Sequence, residues 1–500
     1  MSVALYTPAQ VRSADARTIE AGTAEAELME RAAGHLARAI VRTGGRGYGL
    51  RVGIVCGKGH NGGDGLAAAR RLLDAGAHPV VAVVGGAETL TGLPGKQAEW
   101  LRARGGRFVA SPGEALSKAD IGVDCLLGTG TTGAPRGEVA TGVTALREAG
   151  IRVVACDQPT GVDAATGAVP GAAVRADLTV TIGLEKVGLR LWPARGQCGQ
   201  VEVADIGIAG QAPDPPAGTL LTDVDAGALL PSHGEMVHKR SRGVVVVLAG
   251  SAGMSGAAVL AARGAQAAGA GLITVCTAEA ARPIVATALP EVLTESVPVD
   301  AGAAFDVLAG QIARADALAV GPGLGQHPET VALIRRLVAE VEVPLVLDAD
   351  GLNAFGDRPD ELAHHRSPSL TLTPHAGEYA RLASNDWGDR ATGLAGDAAR
   401  WGATVVGKGP GTMVASADGR VWVNATGSSA LATGGTGDVL TGMLAALLAA
   451  DPDPARVAAG VHLHGLAGEH AAAVGDARAV TAGDVADGVP AAWRRLRGPR

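Results

Sequence analysis

Short, continuously apolar runs alternate along the chain with longer stretches rich in Ala and Leu. The first half carries RVGIVCG at 51–57, PVVAVVG at 79–85, IGVDCLLG at 121–128 and IRVVACD at 151–157, with a helix expected from Asp64 onward. A strand wetted on one face alternates apolar and polar positions. These runs do not, so both faces must be covered, as in a parallel sheet between layers of helix. The second half repeats the style with GVVVVLAG at 243–250, GLITVCT at 271–277, ALAVG at 317–321, PLVLDAD at 344–350 and TVVGKG at 404–409. An α/β fold class follows, with two domains of three layers each. Between the halves, AGQAPDPPAGT at 209–219 has three prolines and no hydrophobic period, which marks a linker. Domains of 1–213 and 214–500 are expected. The halves share no alignable period, so no internal repeat is read.

Composition narrows the class. Gly supplies 74 of the 500 residues, about twice ordinary usage, and clusters where strands end. That suits backbone approaching a ligand closely. Aromatic residues number only three Phe, three Tyr and six Trp, too few for base-stacking platforms. A net charge of -7 without a basic stripe argues against a nucleic-acid partner. Cys56, Cys125, Cys156, Cys198 and Cys276 form no CxxC pair and read as buried thiols in a reducing compartment. No membrane-length apolar run or leader-like amino terminus is visible, so a cytoplasmic protein acting on small molecules is expected.

Candidate chemistry sits at the strand ends. Gly57-Lys58-Gly59-His60-Asn61-Gly62-Gly63-Asp64-Gly65 follows the first strong strand and opens a helix. Glycine N–H groups at a helix start attract an anion, although such a turn can also be empty. Asp124 precedes the loop Gly128-Thr129-Gly130-Thr131-Thr132-Gly133-Ala134, and Asp157 precedes Gln158-Pro159-Thr160-Gly161. Either acid alone could merely cap a turn. Ligands of open parallel sheets lie outside the carboxyl ends of the strands, so all three segments should converge.

In order, GxGxNGGDG, VDxLLGTG and DxPTGxDAxTG resemble the motifs of the NAD(P)H-hydrate epimerase family, over most of 1–208. The resemblance implies a Rossmann-like domain with a potassium ion beside the substrate. By position the ion's ligands would be Asn61, Asp124 and Thr160, all of which offer hard oxygen atoms. A single carboxylate is too little charge to strip water from magnesium. The substrate would lie along His60 to Asp64, Gly128 to Ala134 and Asp157, with Asp157 as general acid or base. The chain departs from the family in two places, having His60 where Asn is usual and Thr160 where Ser is usual. Thr keeps the hydroxyl, while His60 brings a charge that varies near neutral pH.

In the second half, Asn424-Ala425-Thr426-Gly427 is followed by Ala432-Thr433-Gly434-Gly435-Thr436-Gly437-Asp438 and the apolar helix VLTGMLAALLAA. Glycine N–H groups before a helix can hold a phosphoryl group, and an acid in the first turn can deprotonate a hydroxyl aimed at it. The bland alternative is an acid that only complements the helix dipole. His238-Lys239, AGSAGMSGAA at 249–258, GPGLG at 321–325, DADGLN at 348–353, LTPHAGE at 372–378 and KGPGT at 408–412 complete the pattern. Together they resemble the ADP- or ATP-dependent NAD(P)H-hydrate dehydratases, a branch of the ribokinase-like superfamily, over about 222–494. That resemblance puts nucleotide contacts on Lys408, Gly409, Pro410, Gly411, Thr412 and Gly437, and hydrate contacts on Ala257, Gly325, His375 and Asp438. His462 and His464 lie two apart on a helix, face differently and are read as structural.

The two resemblances imply a fused repair enzyme. It would interconvert the R and S forms of hydrated NADH and NADPH, and dehydrate the S form at the expense of ADP, giving AMP and phosphate. Magnesium is expected with ADP, and the chain is expected to form homo-oligomers. The epimerase-first order favours ADP over ATP. Two rivals share these features: a vitamin or sugar kinase with a non-catalytic N-terminal domain, since GTGD recurs across the ribokinase-like superfamily, and a first domain that only binds, like the scaffold of decapping proteins. Intact Asn61, Asp124 and Asp157 argue against the second.

Overall fold

The computed structural model describes residues 2–232, 236–383 and 390–498. Contacts divide the chain into two compact units, Ala4–Gly218 and Thr219–Arg500, with Met1–Val3 belonging to the latter. The segment expected to be a linker holds a short 3-10 turn at Ala209–Gln211 and ends in the strand Gly218–Leu220.

The first unit is built on a sheet of seven strands in the order Arg107–Val109, His78–Val83, Arg51–Cys56, Ile121–Cys125, Arg152–Cys156, Leu178–Ile182, Gln200–Ala204. Every pairing is parallel. The chain winds outward one way from Arg51–Cys56 and the other way from Ile121–Cys125. A crevice must therefore open where their carboxyl ends diverge. The expected strand runs are present but shorter, because the chain must leave the sheet before it can form a binding loop. The helix also differs from expectation: it starts at His60, not Asp64, and runs to Asp74. Gly62 and Gly63 lie inside its first turn, where intrahelical bonding outweighs glycine's poor helix propensity.

Leu36, Ile40, Ile54, Leu66, Leu72, Val81, Val123 and Val154 build the core between this sheet and its helices. Cys56 pairs in register with Cys125, whose other neighbouring strand carries Cys156. All five cysteines are free and buried.

The second unit's sheet reverses between Val244–Leu248 and Ala317–Val320. Its strands are parallel from Leu293–Ser296 through to Thr404–Gly407. The parallel pattern stops there. Thr404–Gly407, Met413–Ala415 and Val421–Val423 are antiparallel, because Gly409–Thr412 and Gly419 give turns too short for a crossover helix. The helices Ser255–Ala267 and Thr436–Leu448 cross almost in backbone contact. A Cβ on Gly442 would lie 1.8 Å from the Ala261 carbonyl oxygen, and one on Gly264 would lie 2.0 Å from that of Val439. Either Gly→Ala change should cost several kcal/mol, of the order seen for severe overpacking, read as a lowered midpoint of thermal unfolding.

Candidate functional site

At the first unit's switch point lies a cavity of about 710 Å³. His60, Asn61, Asp64, Gly128, Thr129, Gly130, Thr131 and Asp157 line it together, so all three expected segments converge. Gly62, Gly63, Thr132, Gly133 and Ala134 are not on its wall. The two glycines serve packing: a Cβ on Gly62 would lie 2.0 Å from the Gly57 carbonyl oxygen, and one on Gly63 would lie 2.7 Å from Met29 Cε. His60 Nε2 sits 2.7 Å from Glu25 Oε1 at the cavity rim.

Asp124, next to last in the strand Ile121–Cys125, is wholly buried. One of its oxygens accepts the Thr160 N–H at 2.7 Å; the other accepts the Thr160 hydroxyl at 2.8 Å and the Leu126 N–H at 3.1 Å. The Thr160 hydroxyl in turn accepts the Leu127 N–H at 3.1 Å. These bonds tie the loops after two strands to each other. Burial pushes the Asp124 carboxyl up to about 6, against the hydrogen bonds from Thr160 and Leu126. Among the described residues, neither polar atom of the buried Asn61 amide has a partner. Orphaned buried amides are rare in native proteins and ask for a ligand.

Asp157 has φ of 66°, a conformation few non-glycine residues adopt, and such strain gathers at functional sites. Its carboxylate accepts N–H groups of Thr129 and Ile182, both at 3.2 Å, and the Lys186 ammonium at 2.6 Å. Lys186 is 1 % exposed and also donates to the Thr181 hydroxyl and the Ile182 carbonyl. Lys186 has no role in the motifs read from the sequence; its place beside Val187 and Leu189 in GLEKVGL was the available signal. Asp15 on the wall was missed as well.

In the second unit, the strand end at Leu347 delivers Asp348, which is 1 % exposed. Asp348 accepts the Lys408 ammonium at 2.7 Å and the Thr441 hydroxyl at 2.6 Å. This clamp fixes Lys408 beside the start of the helix Thr436–Leu448: a Cβ on Gly437 would lie 3.2 Å from Lys408 Nζ. Asp438 is in that helix's first turn. Burial first, then the charge of Asp348, pushes its carboxyl up to about 7, with Lys408 pulling the other way and Asp350 and Glu378 adding to the rise. A carboxyl so poised suits proton transfer near neutrality.

The remaining expected residues surround this centre. His375 caps the helix Ala376–Leu382, its Nδ1 accepting the N–H groups of Gly377 and Glu378, and its backbone bridges to Lys408. Gly409, Pro410, Gly411 and Thr412 form the hairpin turn after Lys408, where the Thr412 hydroxyl donates to the Gly409 carbonyl. The Gly325 N–H donates to Asp350 at 2.8 Å, and a Cβ on Gly323 would meet Ala257 at 2.9 Å, so Ala257 and Gly325 flank one turn. The structural reading of the histidines has partners to match. His462 pairs with Asp223 at 2.9 Å, and His464 Nε2 lies 3.0 Å from the Thr436 carbonyl, with burial pushing its imidazole down to about 4.

Fold and sites together define a two-unit α/β protein whose units each place acidic and glycine-rich loops at a topological switch point. Residues 245–490 match the family described as NAD(P)H-hydrate dehydratase, and residues 25–188 match YjeF-related protein N-terminus. A bifunctional NAD(P)H-hydrate repair enzyme of Moorella thermoacetica is 40% identical, covering 89% of this chain and 88% of its own length. One from Salinibacter ruber is 37% identical over 97% of this chain and 95% of its own. The chain belongs to the family of bifunctional NAD(P)H-hydrate repair enzymes. Among solved structures, the ADP/ATP-dependent NAD(P)H-hydrate dehydratase of Bacillus subtilis, crystallised with ATP and Mg2+, is 30% identical with a TM-score of 0.47, covering 55% of this chain and 97% of its own. Relatives that carry both halves under the repair name disfavour a vitamin or sugar kinase with an idle first domain. Among the described residues no helix is long and apolar enough to cross a membrane.

Proposed function

We propose that the first unit interconverts the R and S forms of hydrated NADH and NADPH, and that the second dehydrates the S form at the expense of ADP. The observation that carries this reading is the buried Asp348–Lys408 clamp beside Asp438 at a glycine-rich helix start. Lys408 and the Gly437 backbone suit a diphosphate. Asp438 takes the hydrate's hydroxyl proton as that oxygen attacks the terminal phosphorus of ADP, and AMP leaves. The phosphorylated oxygen then departs as phosphate, the adjacent ring carbon gives up a proton to water, and that C–H electron pair restores the ring double bond. ADP rather than ATP rests on the family resemblance.

Magnesium would arrive with the nucleotide. Among the described residues no group of three or more His, Cys, Asp or Glu could hold a metal, which fits an ion carried by the diphosphate. In the first unit, the partnerless Asn61 amide, the Thr160 hydroxyl and the remaining lone pair of Asp124 would hold potassium. That ion supplies positive charge beside the substrate's phosphates. Asp157, with Lys186 offsetting its charge, moves a proton at the carbon bearing the hydroxyl.

The deciding assay follows the dihydronicotinamide absorbance returning from purified hydrate, comparing ADP with ATP. Return with ADP is expected; a stable phosphorylated product would instead establish a kinase. Asp124→Ala removes the ion's only anionic ligand, and should slow loss of the R epimer without altering the ADP reaction. Equal epimerisation by both proteins, in potassium and in a large organic cation, would remove the ion from the scheme. Gly437→Ala should spare the fold, since its Cβ would meet the Lys408 ammonium at 3.2 Å and Asp348 Oδ2 at 3.7 Å and no backbone atom, yet raise KM for ADP at least about tenfold by displacing Lys408.

A further inference from the structure

Four carboxyl groups line the first unit's cavity, and among the described residues two have protein partners: Glu25 pairs with His60 at the rim, and Asp157 is held from three sides. Asp157 receives two backbone N–H groups and Lys186. Asp64, buried in the first turn of the helix His60–Asp74, receives none among the described residues, nor does Asp15. Unpartnered buried carboxyls are costly, and a native fold keeps them where a ligand or a proton uses them. Asp15 is placed deliberately. Val11, Asp15 and Ile19 recur every fourth residue on the helix Pro8–Glu20, so one stripe of that helix faces the cavity, with the acid between two apolar residues.

We propose that Asp64 is the acid that protonates the hydrate's hydroxyl as it leaves during epimerisation, and that Asp15 is the relay that restores Asp64's proton from solvent. The inference rests on the epimerase reading of this unit. The reacting carbon bears both the hydroxyl and the ring nitrogen. A proton from Asp64 lets the C–O bond break with its electron pair leaving on water, while the nitrogen lone pair closes a C=N bond. Water then adds to the opposite face, the new C–O bond forms, the pair returns to nitrogen, and the water's proton passes to Asp157. No redox partner is consumed. Each inversion nevertheless leaves Asp64 without its proton and Asp157 with one, so the site must be reset. Asp64 is 7% exposed and cannot exchange freely, whereas Asp15 is half-buried at the cavity edge. Burial and the neighbouring charges of Asp157 and Asp15 hold the Asp64 carboxyl well above its usual range, with Lys186 opposing, which suits an acid.

The test uses the full chain, with loss of R epimer read in a low-concentration non-carboxylate buffer and NADPHX affinity read by calorimetry. Asp64→Asn should lower kcat by about 10²–10³-fold, the scale of general acid catalysis, with affinity kept. Asp15→Ala should lower kcat by about tenfold and regain rate as acetate is added, while Asp15→Glu stays near wild type. Asp64→Asn at wild-type speed, a loss confined to affinity, or an Asp15→Ala enzyme that acetate does not speed overturns the inference. A wild-type chain that fails to epimerise would instead sink the epimerase reading itself.

Discussion

Asp438→Asn is expected to abolish ADP-driven dehydration, by about 10²–10⁴-fold in kcat, while R and S epimers still interconvert at the wild-type rate. The amide keeps the shape of the first turn of Thr436–Leu448 but accepts no proton. Removing one of two neighbouring acids also lowers the negative charge facing the diphosphate, so ADP affinity should hold or rise. A coupled readout of AMP release and returning dihydronicotinamide absorbance checks both halves in one sample. Near-normal turnover would remove Asp438 as the base. The same residue sets a pH dependence. Burial and Asp348 push its carboxyl up to about 7; below that pH it holds a proton and cannot take another. The rate should therefore fall tenfold per pH unit on the acid side and level off above. Bound nucleotide adds negative charge, so the limb seen in kcat should lie higher than the limb in kcat/KM.

Lys186→Met should be the most damaging single change in the first unit. The ammonium sits 2.6 Å from Asp157 with almost no exposure, and truncating one partner of a buried pair costs about 3–5 kcal/mol through the charge left behind. Epimerisation should disappear and the unfolding midpoint of that unit should drop. Adding Asp157→Asn to the same chain removes the orphaned charge and should recover most of the stability but none of the activity. Thermal denaturation of the single and double variants, with wild type, separates the two effects. A single variant as stable as wild type would mean the pair contributes little to the fold.

Much of this was readable from residue order. Apolar runs without alternation located the central strands, and NGGDG, VDCLLGTG and DQPTG marked the loops that meet at the first cavity. Contacts made at long range were not readable. Lys408 and Asp348 lie 60 positions apart, and nothing local in KGPGT or DADGLN says they bind one another. Asp15 sits on a helix whose pattern of charges looks like any solvated face, and only the folded sheet shows that one stripe of it borders a pocket. The hairpin after Thr404–Gly407 was hidden because its turn, KGPGT, also reads as a phosphate loop. Glycines at 62 and 63 read as ligand contacts, and the fold also packs them closely, which a sequence does not reveal, since it shows that a side chain is absent but not what occupies the space.

The placement of the thiols bears on how the protein endures oxidants. All five are buried, and burial pushes Cys198 and Cys276 up to about 12 and Cys125 well above its usual range. Peroxides and alkylating agents react with accessible thiolates, and the folded chain offers none. The folded state thus shields every thiol of the chain from oxidants. The protein should store without reductant, and iodoacetamide should modify it only as fast as it opens, so that the labelling rate becomes a clock for unfolding.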